Sequence, residues 1–226
     1  MDDLTLTGPA LRKNLDELAI INHWLGGYKV VLDALDKLLA TPAYEDVFFN
    51  NIEVADIGCG GGDTLRRVAA WGRQKDVTMQ LTGVDANPFM LEYAAQKCNR
   101  IPEIKLKRYD IFSAGFKKQT YDIIICSLFC HHFTDKQLAS MLRQLHGQAQ
   151  IAVIINDLHR HPVAYYSIKW LTAIFSKSHL VKNDAPLSVL RSFRRKDIES
   201  ILKTAGITDY AIKWHWAFRW QIILYK

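Results

Sequence analysis

The chain has 226 residues, 49% hydrophobic and 11% aromatic, with a formal net charge of +6. That is enough apolar material for the core of one large domain with a small lid. No stretch approaches the roughly 18 apolar residues of a membrane span, and the acidic start Met1-Asp2-Asp3-Leu4 is unlike a secretory signal, so a cytoplasmic protein is expected. Cys59, Cys98, Cys126 and Cys130 fit that compartment as free thiols, and their spacing from the histidines matches no zinc pattern. The charge is uneven. Residues 1–50 carry 4 basic against 8 acidic side chains, and residues 158–226 carry 12 against 4, including Arg191, Arg194, Arg195 and Lys196.

Residues 9–40 are strongly helical, with Leu11, Leu15, Leu18, Ile21, Leu25, Tyr28, Leu32, Leu35 and Leu39 recurring at steps of three and four. Gly26-Gly27 divides them into two helices with a bend, and Pro42 follows the second. These helices precede the first strand, so residues 1–50 are read as an added helical lid over the edge or mouth of a sheet, with Trp24 and Tyr28 as pocket candidates. Strand one is Glu53–Ile57. A turn with four glycines follows, then a helix over 63–73 capped by Asp63. Strand two covers 79–84 and ends at Asp85, after which Asn87-Pro88 opens a helix in the favoured way. Ile104–Tyr109 alternates like a half-exposed strand and ends at Asp110, and Tyr121–Leu128 reads as a central parallel strand. Thr134 caps the next helix, and Ile151–Ile155 is strand five. Alternating β and α at this spacing predicts a doubly wound α/β sheet, mostly parallel.

In such a sheet, ligands bind beyond the carboxyl ends of the strands. Here strand one delivers Asp56 and the glycines, strand two Asp85, strand three Asp110, and strand four Ser127 followed by His131-His132. Glycines admit positive φ and close approach of a ligand to the backbone, and the next helix offers free N–H groups. An acid about 20 residues beyond a glycine turn suits a ribose diol. These stretches resemble the motifs of Rossmann-like, S-adenosylmethionine-dependent methyltransferases. Asp56-Ile57-Gly58-Cys59-Gly60-Gly61-Gly62 is similar to the D-x-G-x-G-x-G turn, Val84-Asp85-Ala86-Asn87-Pro88 to the ribose motif and Arg108-Tyr109-Asp110-Ile111-Phe112 to the adenine-side motif. Tyr121–Ser127 matches the fourth strand.

The resemblance covers about residues 52–157 and implies S-adenosylmethionine as cofactor. It implies a binding set of Asp56, Gly58, Cys59, Gly60, Asp85, Ala86, Asp110, Ile111 and Ser127. It also implies two more strands, the last antiparallel, for which Ile207–Trp216 and Phe218–Tyr225 are suited. The domain is then 51–226, with 158–192 as a lid insertion carrying the aromatic helix Val163–Phe175. A nicotinamide dehydrogenase is the nearest rival within the fold, but its G-x-G-x-x-G spacing is absent. A non-catalytic cofactor-binding module is the rival from another class.

Methyl transfer is an in-line displacement, helped at a hydroxyl or phenol by a base. Candidate bases cluster at the ends of strands four and five, namely His131, His132, Asp157, His159 and His161. His131 and His159 are preferred. Ser127 stands where metal-dependent catechol-type enzymes carry their first acid, so no metal is expected. Arg160, Arg191 and Arg194 are candidates to meet an anionic group. The layout resembles methyltransferases of quinones, polyketides and phenols, and predicts O-methylation of a small-molecule acceptor by a monomer or homodimer. RNA is the weaker substrate reading.

Overall fold

The computed structural model describes residues 8–44, 51–176 and 178–226, so parts of the expected lid at 1–7 and 45–50 lie outside the described residues. Seven strands form one sheet: β1 Ile52–Ile57, β2 Met79–Asp85, β3 Ile104–Arg108, β4 Tyr121–Ser127, β5 Ala149–Leu158, β6 Tyr210–His215 and β7 Arg219–Tyr225. Their order is β3-β2-β1-β4-β5-β7-β6. Neighbours among β1 to β5 run parallel, whereas β7 is antiparallel to both β5 and β6. The expected mixed, doubly wound sheet is thus present. β4 and β5 are buried on both faces because helices cover each side.

The helices are α1 Pro9–Trp24, α2 Gly27–Leu39, α3 Asp63–Lys75, α4 Pro88–Cys98, α5 Asp135–Gln148, α6 Pro162–Phe175, α7 His179–Arg191 and α8 Arg195–Ala205. One core lies between the sheet and α5 and α8, built on Ile124, Leu142, Leu145, Ile201 and Leu202. The other, on the opposite face, takes Val31, Ala34, Leu35 and Leu38 of α2 with Leu65 and Val68 of α3. Burying side chains of this size contributes about 1.5–3 kcal/mol each. So α2 is a core helix on the sheet face, not a cover for its mouth: its apolar stripe is wide enough to compete for β5 and β7. α1 behaves differently. It lies across α4, where Tyr93 Oη donates to Asp16 Oδ1 at 2.6 Å and Lys97 Nζ to the same oxygen at 2.8 Å, and it also packs on α7.

Local signals explain most boundaries. Asn87 Oδ1 accepts from Phe89 N at 2.9 Å with Pro88 in the first turn. Thr134 and Gln137 cap α5 reciprocally. Asp63 is not the cap of α3; Gly62 holds that place in a left-handed conformation, and Asp63 is the first helical residue, paired with Arg66. Its charge still favours the helix end. β5 runs past its expected end because pairing with β7 continues to Leu158 opposite Arg219. The last hairpin turns at Ala217 and Phe218, both left-handed at φ 62° and 55°. α7 was not foreseen as a helix, because Pro186 interrupts its interior.

Candidate active site

The strand order reverses between β1 and β4, which opens a crevice beyond their carboxyl ends. The glycine turn enters it. Gly58 sits at φ 68° and Gly60 at φ 49°, values an L side chain rarely adopts. A Cβ on Gly58 would come within 2.3 Å of the Phe129 ring, whereas one on Gly60 would meet nothing within 4 Å. Gly58 is therefore packed tight and Gly60 faces open space that a ligand can fill. Asp85 turns its carboxylate to the same place, with Oδ2 accepting from Gly60 N at 3.1 Å and Oδ1 from Asn87 N at 2.9 Å. Asp110 is exposed and accepts from Phe112 N at 2.9 Å. Ile111 is buried beside it.

Three carboxylates here sit above their ordinary range. Burial drives Asp56 well up, helped by Asp85 and Asp63. Burial raises Asp85 too, against three backbone N–H donors, and raises Asp63 against Arg66 and Lys97. Cys59, on the same turn, is likewise pushed well up by burial and the neighbouring acids, which makes it a packing thiol. All four cysteines are free and buried.

Residues 54–148 match the family model described as "Methyltransferase domain". Over that stretch the sequence is similar to methyltransferase domains. No curated protein is matched at the sequence level. Among solved structures, the plantazolicin methyltransferase BpumL, in complex with a monoazolic desmethylPZN analog and SAH, is similar at 19% identity and a TM-score of 0.63, over 91% of this chain and 86% of that one. The CurJ carbon methyltransferase is similar at 15% identity and TM-score 0.62, over 88% of this chain and 53% of that one. Magnesium protoporphyrin IX methyltransferase from Synechocystis PCC 6803, with bound SAH, is similar at 18% identity and TM-score 0.55, over 87% and 82%. At these identities the likeness is one of fold.

A cavity of about 690 Å³ opens beside Leu128, the residue that follows β4. Leu18, Ile21 and Leu25 of α1 line it with Ile168 and Leu171 of α6, residues of α7, and Trp214 and Trp216 of the last hairpin. Leu128, at a left-handed φ of 53°, faces this cavity, while the next residue lies on Gly58. The cavity's polar groups include Asn22, His131, His132 and Arg219.

His131 and Asp157 form a buried pair. His131 Nδ1 lies 2.8 Å from Asp157 Oδ1, His131 N donates to Oδ2 at 3.2 Å, and Leu158 N donates to Oδ1 at 2.7 Å. Burial alone would raise the Asp157 carboxyl, but the His131 ring and these N–H donors outweigh it and hold the group below its ordinary range. A carboxylate that accepts Nδ1–H leaves Nε2 as the basic nitrogen, and His131 is the cavity-lining member of the pair.

Arg219 is 2% exposed. Its Nη1 makes one long contact, 3.5 Å to Asn156 Oδ1, and its Nε has no partner among the described residues. Burial pulls it down to about 10, partly offset by Asp157 and Tyr28, so it stays cationic at neutral pH. Asn156 Nδ2 in turn donates to Ser127 Oγ at 2.8 Å and to Gly27 O at 3.2 Å. A chain of polar contacts thus runs from Ser127 to Arg219. A Cβ on Gly27 would reach 1.7 Å from Asn22 Oδ1 and 2.9 Å from Arg219 Cζ, so the second glycine of the pair makes room for both.

The sequence-derived residues therefore separate into groups. Gly58, Cys59, Gly60, Asp85 and Ala86 gather at the β1 and β2 ends, with Asp56 fully buried beneath, and Asp110 and Ile111 follow at β3. Ser127 lies at the end of β4, next to the cavity-lining Leu128. His131 reaches the cavity, but His159 is outside its lining: it packs against His161, Phe218 and Trp220, with no partner for Nδ1 among the described residues. Trp24 and Tyr28 do not line the cavity; Trp24 faces outward and Tyr28 packs inside. Arg160 is engaged by Asp197 at 2.5 Å, while Arg191 lines the cavity edge. The His131–Asp157 pairing and Arg219 escaped the sequence reading. The one available signal for the pair was their place at the ends of adjacent strands.

Proposed function

We propose that the protein methylates a small, apolar acceptor on an oxygen whose proton His131 removes. The observation that carries this reading is the His131–Asp157 pair at the wall of an apolar cavity. The glycine turn, Asp85 and Asp110 hold the cofactor on one side of Phe129, with Asp85 toward the ribose, Asp110 toward the adenine amino group and Ile111 against the ring. When bound, S-adenosylmethionine supplies a methyl group on a sulfonium centre. His131 Nε2 accepts the acceptor's proton as its oxygen takes the methyl, and Asp157 stabilises the imidazolium that forms. Arg219, a buried cation facing the cavity, meets an oxygen anion of the acceptor, which makes phenolic or enolic acids the preferred class. Water is excluded by α1 and the 158–192 segment acting as a lid. The four buried thiols accord with a cytoplasmic setting.

A carbon acceptor is the second reading. An enolisable C–H acid needs the same base, its enolate oxygen would find Arg219, and one of the similar structures is described as a carbon methyltransferase. The test is a screen of apolar phenols, enols and β-dicarbonyl acids with isotope-labelled methyl donor, the site of label read by NMR. Label on oxygen supports the first reading and label on carbon the second. Transfer only to amines or to RNA would overturn both.

A further inference from the structure

We propose that the outer face of α6, with the basic segment around it, docks the protein on an anionic membrane surface. α6 is apolar on two opposite sides. Its inner side carries Ala164, Ile168, Leu171 and Thr172 toward the protein and the cavity. Its outer side carries Val163, Tyr166, Trp170 and Ile174, spaced three, four and four residues apart, which places them in one stripe along the helix. All four are exposed, Trp170 by 70%, and Phe175 at the helix end is exposed by 76%. A surface helix ordinarily turns polar residues to water, and a contiguous apolar stripe marks an interaction site. The stripe does not stand alone, since Leu187 and Leu190 of the adjoining α7 are exposed as well.

Charge decides the occupant. Residues 160–196 carry eight basic side chains and a single acidic one. Lys169 and Lys182 on α6 and α7 are exposed, and Arg160 at the entry to α6 is partly so. A helix of 14 residues with tyrosine and tryptophan beside Lys169, continued by a segment rich in lysine and arginine, is suited to lie in the interface of a bilayer. Each basic residue near an anionic surface adds to such attraction, and it weakens with salt. No helix among the described residues is long and apolar enough to cross a membrane, so binding is peripheral. A protein partner would need acidic complementarity but not lipid, and a nucleic acid would have no use for the aliphatic Val163 and Ile174. Because α6 lines the cavity with its inner side, docking would set the cavity close to the bilayer; this last step alone rests on the methyltransferase reading.

The test is sedimentation of the full chain with phosphatidylcholine vesicles, with and without phosphatidylglycerol. Binding to the anionic vesicles is expected, at least tenfold stronger than to the neutral ones and reduced by added salt. Trp170→Ser with Phe175→Ser should weaken it at least tenfold, and Lys169→Glu with Lys182→Glu severalfold. S-adenosylmethionine affinity, measured by calorimetry, should be unchanged in both variants, because these residues are exposed and distant in the fold from the glycine turn. The proposal is overturned by equal sedimentation with neutral and anionic vesicles, by binding that survives both variants, or by capture of RNA through these residues without vesicle binding. A dimer that the Trp170 and Phe175 substitutions disperse, with no vesicle binding, overturns it in favour of a second copy.

Discussion

The glycine turn and the cavity are built on opposite electrostatic plans. On the cofactor side, Asp56, Asp63 and Asp85 crowd into a buried turn, and burial lifts all three above the ordinary carboxylate range. On the acceptor side, one buried carboxylate, Asp157, is held below that range by His131 and backbone N–H groups, and a buried cation, Arg219, stands beside it. The cofactor side thus stores unfavourable charge that a ligand rich in hydroxyl and amino donors relieves. On the cavity side the Asp157 carboxylate is already paired with His131, and His131 and Arg219 line a mostly apolar space. On the proposed reading, the first accepts hydrogen bonds from the ligand at its carboxylates and the second moves a proton.

The largest effect should come from Asp85→Ala. It removes the acceptor of Gly60 N and the proposed acceptor for the ribose, and S-adenosylmethionine binding should fall beyond calorimetric detection while the circular dichroism spectrum is kept. Unchanged affinity would dissolve the distinction between the two sides. His131→Ala comes next. Loss of a general base costs typically 10²- to 10⁴-fold in rate, so kcat should drop by about that range with cofactor affinity intact. Loss of cofactor binding instead would mean that the pair serves the fold. Arg219→Met is a finer cut: KM for an anionic acceptor should rise about 10- to 100-fold, with Arg219→Lys recovering part. The Kd of the neutral methyl-ether product should show no such rise.

The legibility of the two sides follows from the distance over which each is assembled. The cofactor turn lies within seven consecutive residues, Asp56 to Gly62, and its acids mark successive strand ends, so local sequence carried it. The acceptor side joins residues that only tertiary structure brings together. His131 meets Asp157 across 26 positions, and Arg219 meets Asn156 across 63. His159 looked equivalent to His131 because both follow a strand, but β5 extends to Leu158 and its neighbour is carried into the hairpin's aromatic cluster. The double glycine read as a bend and is one, yet its second member also accommodates Arg219. α7 hid behind Pro186, and the core role of α2 depended on a sheet whose width the segment itself does not encode.

The charge contrast can be tested in stability as well as binding. Asp157 has a depressed folded-state pKa, so its contribution is present above the unfolded carboxylate value and is lost as pH falls through the folded one. Asp56 has a raised one, so its stabilising contribution is confined to low pH and is lost as pH rises through the folded value. At pH 7, Asp157→Asn should therefore destabilise by about 2–3 kcal/mol and Asp56→Asn should stabilise by about 1 kcal/mol in urea melts. The Asp56 difference should shrink as pH falls below its raised folded value, whereas the Asp157 difference should hold to about pH 4 and shrink only below it. Substitutions of the same sign would mean that the sides do not differ in this way.

The smallest expected effect is none, and it concerns the seam between the two sides. A divalent metal bridging acceptor and protein would need carboxylates where the β4–β5 pairing ends. Those positions hold Ser127 and Asn156, bonded to each other at 2.8 Å, and the second also to Gly27 O. The neighbouring carboxylate, Asp157, has both oxygens engaged by His131 and Leu158. Hydroxyl and amide are weaker ligands than carboxylates for a hard cation, which accords with the proposed activation of the acceptor by His131. Initial rates should be unchanged after dialysis against EDTA and unresponsive to added magnesium. Strict magnesium dependence would move the activating charge from the His131–Asp157 pair to the Ser127–Asn156 seam.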